Sequence, residues 1–186
     1  AGQATDGIDA PSVEEWFLAN AGEVEPPLRF ERIAGGRSNL TYSVGDAAGR
    51  RWALRRPPLG KRLASAHDMG REYRIISALG PTPVPVPPAL ALCTDESVNG
   101  VPFYVMGFVD GVVLDSADKG ASMTPDLRRS AGLHLIDVLA DLHAVDVDAV
   151  GLGDLAKREG YVERQVKRWS AQWQNSKTRE LPAVDE

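Results

Sequence analysis

Two stretches carry residue types that could do chemistry together. Gly35 and Gly36 are followed by Ser38, Asn39 and Thr41. Hydroxyl and amide groups beside a glycine turn can join backbone N–H groups in holding phosphate oxygens. Further on, Trp52-Ala-Leu-Arg-Arg56 reads as a strand. Alternate side chains of a strand share a face, so Ala53 and Arg55 point one way and Trp52, Leu54 and Arg56 the other. A small residue leaves room for a flat base, and a cation two positions later can reach the phosphates attached to it. Glu72 lies beside the helical stripe Met69, Tyr73, Ile76 and Leu79, where it can pair with a strand cation. Each feature also has a plainer reading. The arginines can snorkel from an edge strand, and Glu72 can be a solvated surface charge worth little energy.

The elements that must position these groups can be read in order. Residues 1–10 read as a disordered lead-in. Val13, Trp16 and Phe17 stand at helical spacing in Pro11–Asn20. Arg29–Ile33 can pair with Thr41–Val44 across the glycine turn. After the strand ending at Arg56, Pro57-Pro58-Leu-Gly60 breaks the sheet, and a helix is predicted from about Ser65 to Leu79. Gly80–Pro88 is a proline-rich extended connector. Ala89–Cys93 and Pro102–Val109 read as two strands joined through Asn99-Gly100, a strong hairpin signal. Residues 115–122 are polar and loop-like. Thr124-Pro125 gives an N-cap and a first-turn proline for a helix to about His143, with Leu127, Ala131, Leu135, Val138, Leu139 and Leu142 on one face. A last helix spans about Glu159–Gln174, and its Tyr161, Val166, Trp169 and Trp173 recur as a packing stripe.

Composition excludes several classes. The 186 residues carry a net charge of −5, with 43% hydrophobic and 25% charged residues, ordinary for a globular protein. Such a balance speaks against general nucleic-acid binding. Basic residues gather only locally, at Arg50, Arg51, Arg55, Arg56, Lys61 and Arg62, which suits a small anion. The single cysteine, Cys93, forbids an internal disulfide, and three histidines show no metal-ligand spacing. No apolar run reaches the ~20 residues of a membrane span. The start lacks an initiator Met and the features of a signal peptide; a cytoplasmic location is the simplest expectation.

The order strand, glycine loop, strand, strand with a cation, helix with a glutamate, two strands, connector and helices resembles the small lobe and linker of protein-kinase-like phosphotransferases. The phrases Gly35-Gly-Arg-Ser-Asn-Leu-Thr-Tyr42, Trp52-Ala-Leu-Arg-Arg-Pro-Pro58, Arg71-Glu-Tyr-Arg74, Val84-Pro-Val-Pro87, Phe103-Tyr-Val-Met-Gly-Phe-Val-Asp-Gly111 and Leu142-His-Ala-Val-Asp146 are similar to the aminoglycoside/choline kinase-like family. Within it they most resemble bacterial phosphotransferases related to the kinase-like domain of acyl-CoA dehydrogenase fusion proteins. The resemblance implies an α+β fold: a small lobe with a five-stranded antiparallel sheet and one main helix, then the first helices of a helical large lobe. It implies an extension over 1–28, a nucleotide-binding lobe over 29–111 and the start of the large lobe over 112–186.

By the same resemblance, Gly35, Gly36, Ser38, Asn39 and Thr41 belong to a phosphate-covering loop. Arg55 binds phosphate, Glu72 is its ion-pair partner and Ala53 roofs the base. Met106, Gly107, Phe108 and Val109 form a hinge that reads the adenine edge through its backbone. The implied cofactor is ATP, or another nucleoside triphosphate, with Mg²⁺; the partners are the nucleotide and a small-molecule hydroxyl acceptor, with a homodimer left open. Two residues depart from the pattern: Arg55 replaces the usual lysine, and Gly107 an often acidic residue. The family's His-Gly-Asp catalytic loop and later metal-binding Asp do not occur in the 186 residues. The expectation is therefore the N-terminal, nucleotide-binding part of a phosphotransferase, with no catalytic or metal residue in this chain and no activity by itself. The competing expectation is a non-catalytic nucleotide-binding or scaffolding module.

Overall fold

The structure is a computed structural model that describes residues 5–33, 38–60, 67–114, 116–179, 181 and 183. Five strands form one antiparallel sheet in the order β1-β2-β3-β5-β4. They are β1 (Arg29–Arg32), β2 (Leu40–Gly45), β3 (Arg51–Arg56), β4 (Ala89–Cys93) and β5 (Phe103–Gly107). Helices α1 (Ala10–Asn20) and α2 (Met69–Leu79) accompany it, followed by α3 (Glu96–Asn99), α4 (Ala117–Ala121), α5 (Pro125–Ala144) and α6 (Tyr161–Ser176). This is the α+β, kinase-like architecture the resemblance implies.

Strand alternation sorts the sheet into two faces. Tyr42, Val44, Trp52, Leu54, Phe103 and Val105 form a buried cluster with Val13 and Phe17 of α1. Trp16 meets the Phe103 ring edge-on at 4.8 Å, and Phe17 meets Trp52 at 5.9 Å. Edge-to-face pairs of this kind stabilise beyond the area they bury. The apolar stripe of α1 thus closes one face and leaves the other for the polar side chains.

The lead-in expected to be disordered is instead tied down from Thr5 onward. Thr5 Oγ1 donates to the Phe30 carbonyl, Tyr42 Oη to that of Asp6, and the Asp9 N–H to Asn99 Oδ1. Arg56, buried on this face, donates to the carbonyl oxygens of Gly7 and Pro57. Polar composition hid this strap, because its anchors lie 25 to 90 residues away in sequence.

Three further expectations change. Asn99-Gly100 does not make a two-residue hairpin turn. Asp95 caps α3 by accepting from the Ser97 N–H, and Gly100 ends it with φ of 69°, the left-handed stop that glycine favours. Residues 117–121 form α4, capped by Ser116. The predicted packing stripe of α6 is exposed at Tyr161, Val166 and Trp169, while Trp173 is half-buried.

The helix α5 starts where Thr124-Pro125 predicts, with Thr124 Oγ1 accepting from the Leu127 N–H. It buries none of its residues, and Leu127, Leu135, Leu139 and Leu142 are exposed. The chain divides into two compact units, Ala1–Asp146 and Val147–Glu186. In the second, Leu152 is buried and Arg158 pairs with Asp148 at 2.5 Å.

Candidate functional site

The face of the sheet turned away from α1 is built by register. Thr41 stands opposite Arg55, and Arg55 opposite Tyr104; Ser43 stands opposite Ala53, and Ala53 opposite Met106. Directly opposed residues of antiparallel strands share a face. One cross-strand row is therefore polar and cationic, and the next is small and apolar.

The small row opens onto a cleft of about 920 Å³, walled by Ala53, Met106, Phe108 and the connector residues Pro85, Val86 and Pro87. Ala53 is 6% exposed, so its methyl group closes the cleft without filling it. Met106 also borders a smaller recess of about 290 Å³ lined by Arg55, Glu72, Ile75, Ile76 and Tyr104.

At the hinge positions, the Gly107 N–H donates to the Pro88 carbonyl at 2.8 Å. That donor is thereby committed to the connector. A Cβ on Gly107 would stand 3.1 Å from Pro88 Cδ, tighter than ordinary packing. The proline connector lies close against the hinge because residue 107 has no side chain. Phe108 lies under the Arg51 guanidinium, 4.2 Å from ring centroid to Cζ, and Arg51 also pairs with Asp110. Val109 is exposed at the rim.

The charged row centres on Glu72, which α2 delivers from its first turn. Asp68 caps that helix by accepting from the Arg71 N–H at 2.9 Å. Arg55 Nε donates to Glu72 Oε2 at 2.8 Å, and Arg55 Nη1 donates to Thr41 Oγ1 at 2.9 Å. Tyr104 Oη donates to Glu72 Oε2 at 3.2 Å, and Asn39 Nδ2 to Glu72 Oε1 at 2.6 Å. Burial, and next the Glu72 charge, push the Tyr104 hydroxyl far above its ordinary range. Tyr104 is therefore a neutral donor at any physiological pH.

Of the residues singled out from sequence, Thr41, Ala53, Arg55, Glu72, Met106, Gly107, Phe108 and Val109 border one or other of these two spaces, which share Met106 as a wall. Gly35 and Gly36 lie outside the described residues. Ser38 is exposed. Asn39 is 4% exposed, with its side chain turned to Glu72 and His67 rather than outward. The basic group is dispersed: Arg50 is held by Glu23, Glu25 and Asp46, and Arg56 lies on the opposite face. Lys61 and Arg62 lie outside the described residues. Sequence reasoning missed Tyr104 and His67. The alternation of β5 would have put Tyr104 on the Arg55 face, whereas no local signal marks His67.

Fold and site together define a kinase-like phosphotransferase domain. The chain belongs to the phosphotransferase enzyme family (APH), whose model matches residues 29–186. A Ralstonia eutropha protein of known structure, provisionally described as an aminoglycoside phosphotransferase, is 35% identical and superposes with a TM-score of 0.73 over 96% of this chain and 51% of its own. Acyl-CoA dehydrogenase family member 10 of Mus musculus is 35% identical over 159 residues, 86% of this chain and 15% of that protein. Probable acyl-CoA dehydrogenase IBR3 of Arabidopsis thaliana is 38% identical over 150 residues, 78% of this chain and 18% of that protein. The chain therefore spans about half of the solved relative and under a fifth of these two curated ones.

Proposed function

We propose that this chain is the nucleotide-binding part of an ATP-dependent phosphotransferase that acts on a small-molecule hydroxyl acceptor. The observation that carries the reading is the Arg55–Glu72 pair, set one strand position-pair away from Ala53 on the same face. An apolar slot beside a fixed cation matches a flat base joined to a polyanion. In this reading Ala53 and Met106 enclose the base, and backbone groups at Gly107, Phe108 and Val109 address its edge. Arg55 holds phosphate oxygens, with Ser38 and the glycines Gly35 and Gly36 covering them. The name of the Ralstonia relative favours a small-molecule acceptor.

Phosphoryl transfer depends mostly on positioning and on stabilising charge at the phosphates. What these residues contribute is positioning of the donor. Bound Mg²⁺ would neutralise phosphate charge. The His-Gly-Asp loop and later metal-binding Asp that the family resemblance implies do not occur in the 186 residues, and in this reading the metal's ligands lie outside them. We accordingly assign no catalytic residue to this chain and expect it to bind nucleotide without turnover.

No helix among the described residues is long and apolar enough to cross a membrane; the proposed setting is the cytoplasm. The test is calorimetry of the chain with ATP, GTP and their diphosphates, beside a phosphate-release assay. Saturable binding without release is the expected result. Absence of any heat with all four nucleotides would remove the reading.

A further inference from the structure

The side chain of Asn39 uses both of its ends. Its Oδ1 lies 2.6 Å from His67 Nδ1, and its Nδ2 lies 2.6 Å from Glu72 Oε1. Elementary hydrogen-bond chemistry fixes the direction of this chain. A carboxylate only accepts, so the end of Asn39 that faces Glu72 is the NH2 group. The amide oxygen then faces His67, and His67 Nδ1 must carry the proton. Donation runs one way, from His67 to Asn39 to Glu72. With Oε1 occupied, Oε2 receives Arg55 Nε and the Tyr104 hydroxyl.

We propose that Asn39 and His67 are positioning residues that fix the rotamer of Glu72 and, through it, the plane in which Arg55 presents its guanidinium to a phosphate. This rests on the nucleotide reading above. The guanidinium of Arg55 is what gives the relay its purpose. A lysine head is a point charge that can swivel, whereas a guanidinium offers its donors in one rigid plane. Arg55 commits Nε to Glu72 and Nη1 to Thr41, and Nη2 has no partner among the described residues. The direction of that remaining nitrogen is therefore set from behind, by the carboxylate and whatever orients it. Asn39 just before β2 and His67 just before α2 also tie the loop side of the sheet to the helix that carries Glu72. A change in either end is thus conveyed to the cation.

The test uses the 186-residue chain as wild type, Asn39→Leu, His67→Phe and His67→Asn. The last variant places an amide NH2 near the position of Nδ1, so it can restore the donor. The first readout is independent of nucleotide: the ¹⁵N signals of the His67 ring and the Arg55 Nε–H signal. The expected result is a His67 ring protonated at Nδ1, and an Arg55 signal that moves in Asn39→Leu and His67→Phe but returns in His67→Asn. The second readout is the Kd for ADP and for adenosine. ADP binding should weaken about tenfold in the first two variants, as for a lost hydrogen bond to a charged group, with adenosine unaffected and His67→Asn near wild type. A His67 ring protonated only at Nε2, or an Arg55 signal indifferent to both changes, would overturn the proposal. Failure of wild type to bind ADP would sink the nucleotide reading, while the ring and guanidinium signals would still decide the relay. Should Asn39→Leu unfold, the half-buried His67 pair of variants decides it alone.

Discussion

Replacing Glu72 by glutamine preserves the side chain's size and removes its charge. Among the described residues three donors reach the carboxylate: Asn39 Nδ2 on one oxygen, and Arg55 Nε and Tyr104 Oη on the other. Glutamine offers one acceptor end and one NH2 end, so either orientation sets a donor against a donor. Turning its oxygen to Arg55 and Tyr104 keeps two bonds and strands Asn39, which is buried. Bonds to a charged group contribute about 1.5–3 kcal/mol and neutral ones about 1 kcal/mol. The Arg55 and Glu72 side chains are 31% and 30% exposed, so solvent screens their pair toward the ~0.2–1 kcal/mol of surface ion pairs. A net loss of about 2 kcal/mol follows, or roughly 4–8 °C in Tm for a chain of this length. Urea unfolding followed by tryptophan fluorescence measures it, since Trp16 and Trp52 lie in or against the core. A double-mutant cycle with Asn39→Ala should give about 1 kcal/mol of coupling. A Glu72→Gln protein within about 0.5 kcal/mol of wild type, uncoupled from Asn39, would refute the claim that these donors converge on a structural carboxylate.

The remaining expectations test other parts. Ala53→Leu should fill the cleft roof and weaken adenosine and ATP binding alike, by more than about tenfold, with circular dichroism unchanged; equal affinity would place the base elsewhere. Gly107→Ala brings a methyl group against Pro88 and should destabilise by about 1–3 kcal/mol, as overpacking does; a neutral result in urea unfolding would mean that the connector yields. Gly7→Ala should destabilise by about 1 kcal/mol or more, chiefly because φ is +84°, where a Cβ is strained, while the ends of the Arg56 and Leu59 side chains would have to shift from 2.8 and 2.9 Å; a thermal shift near zero would show that the strap is not fixed. Asp46 gives the pH prediction. Desolvation alone would raise its pKa, but the N–H groups of Glu25 and Arg50 that it accepts outweigh this and hold it below 3.8. Its contribution is therefore fully present above that value and lost as pH falls through the depressed folded pKa. The stability gap between wild type and Asp46→Asn should close on acidification below pH 3.8; a gap independent of pH would contradict the assignment.

Much of the site was legible because it rests on short-range rules. Strand alternation alone separates Ala53 and Arg55 from Trp52, Leu54 and Arg56, and the structure keeps that separation. Thr124-Pro125 announces α5 because cap and first-turn preferences are local. The Arg55–Glu72 pair needed more, since it joins a strand to a helix 17 residues on; family resemblance supplied what spacing could not. Tyr104 was open to the same alternation rule, but His67 and the strap from Thr5 to Asp9 were not legible, because each acts through partners distant in sequence. Asn99-Gly100 misled for a different reason. The same dipeptide that closes a tight hairpin also ends a helix, and Asp95, four residues earlier, decides between them by capping α3.

Arg55→Met with a pair of ligands tests the central claim most directly. The Kd for ATP and for adenosine would be measured by calorimetry on wild type and variant. If Arg55 holds phosphate while Ala53 and the hinge hold the base, ATP should lose at least about tenfold in affinity, as for a charge-assisted hydrogen bond, and adenosine should bind as before. Equal loss of both ligands, or no loss of either, would contradict the account.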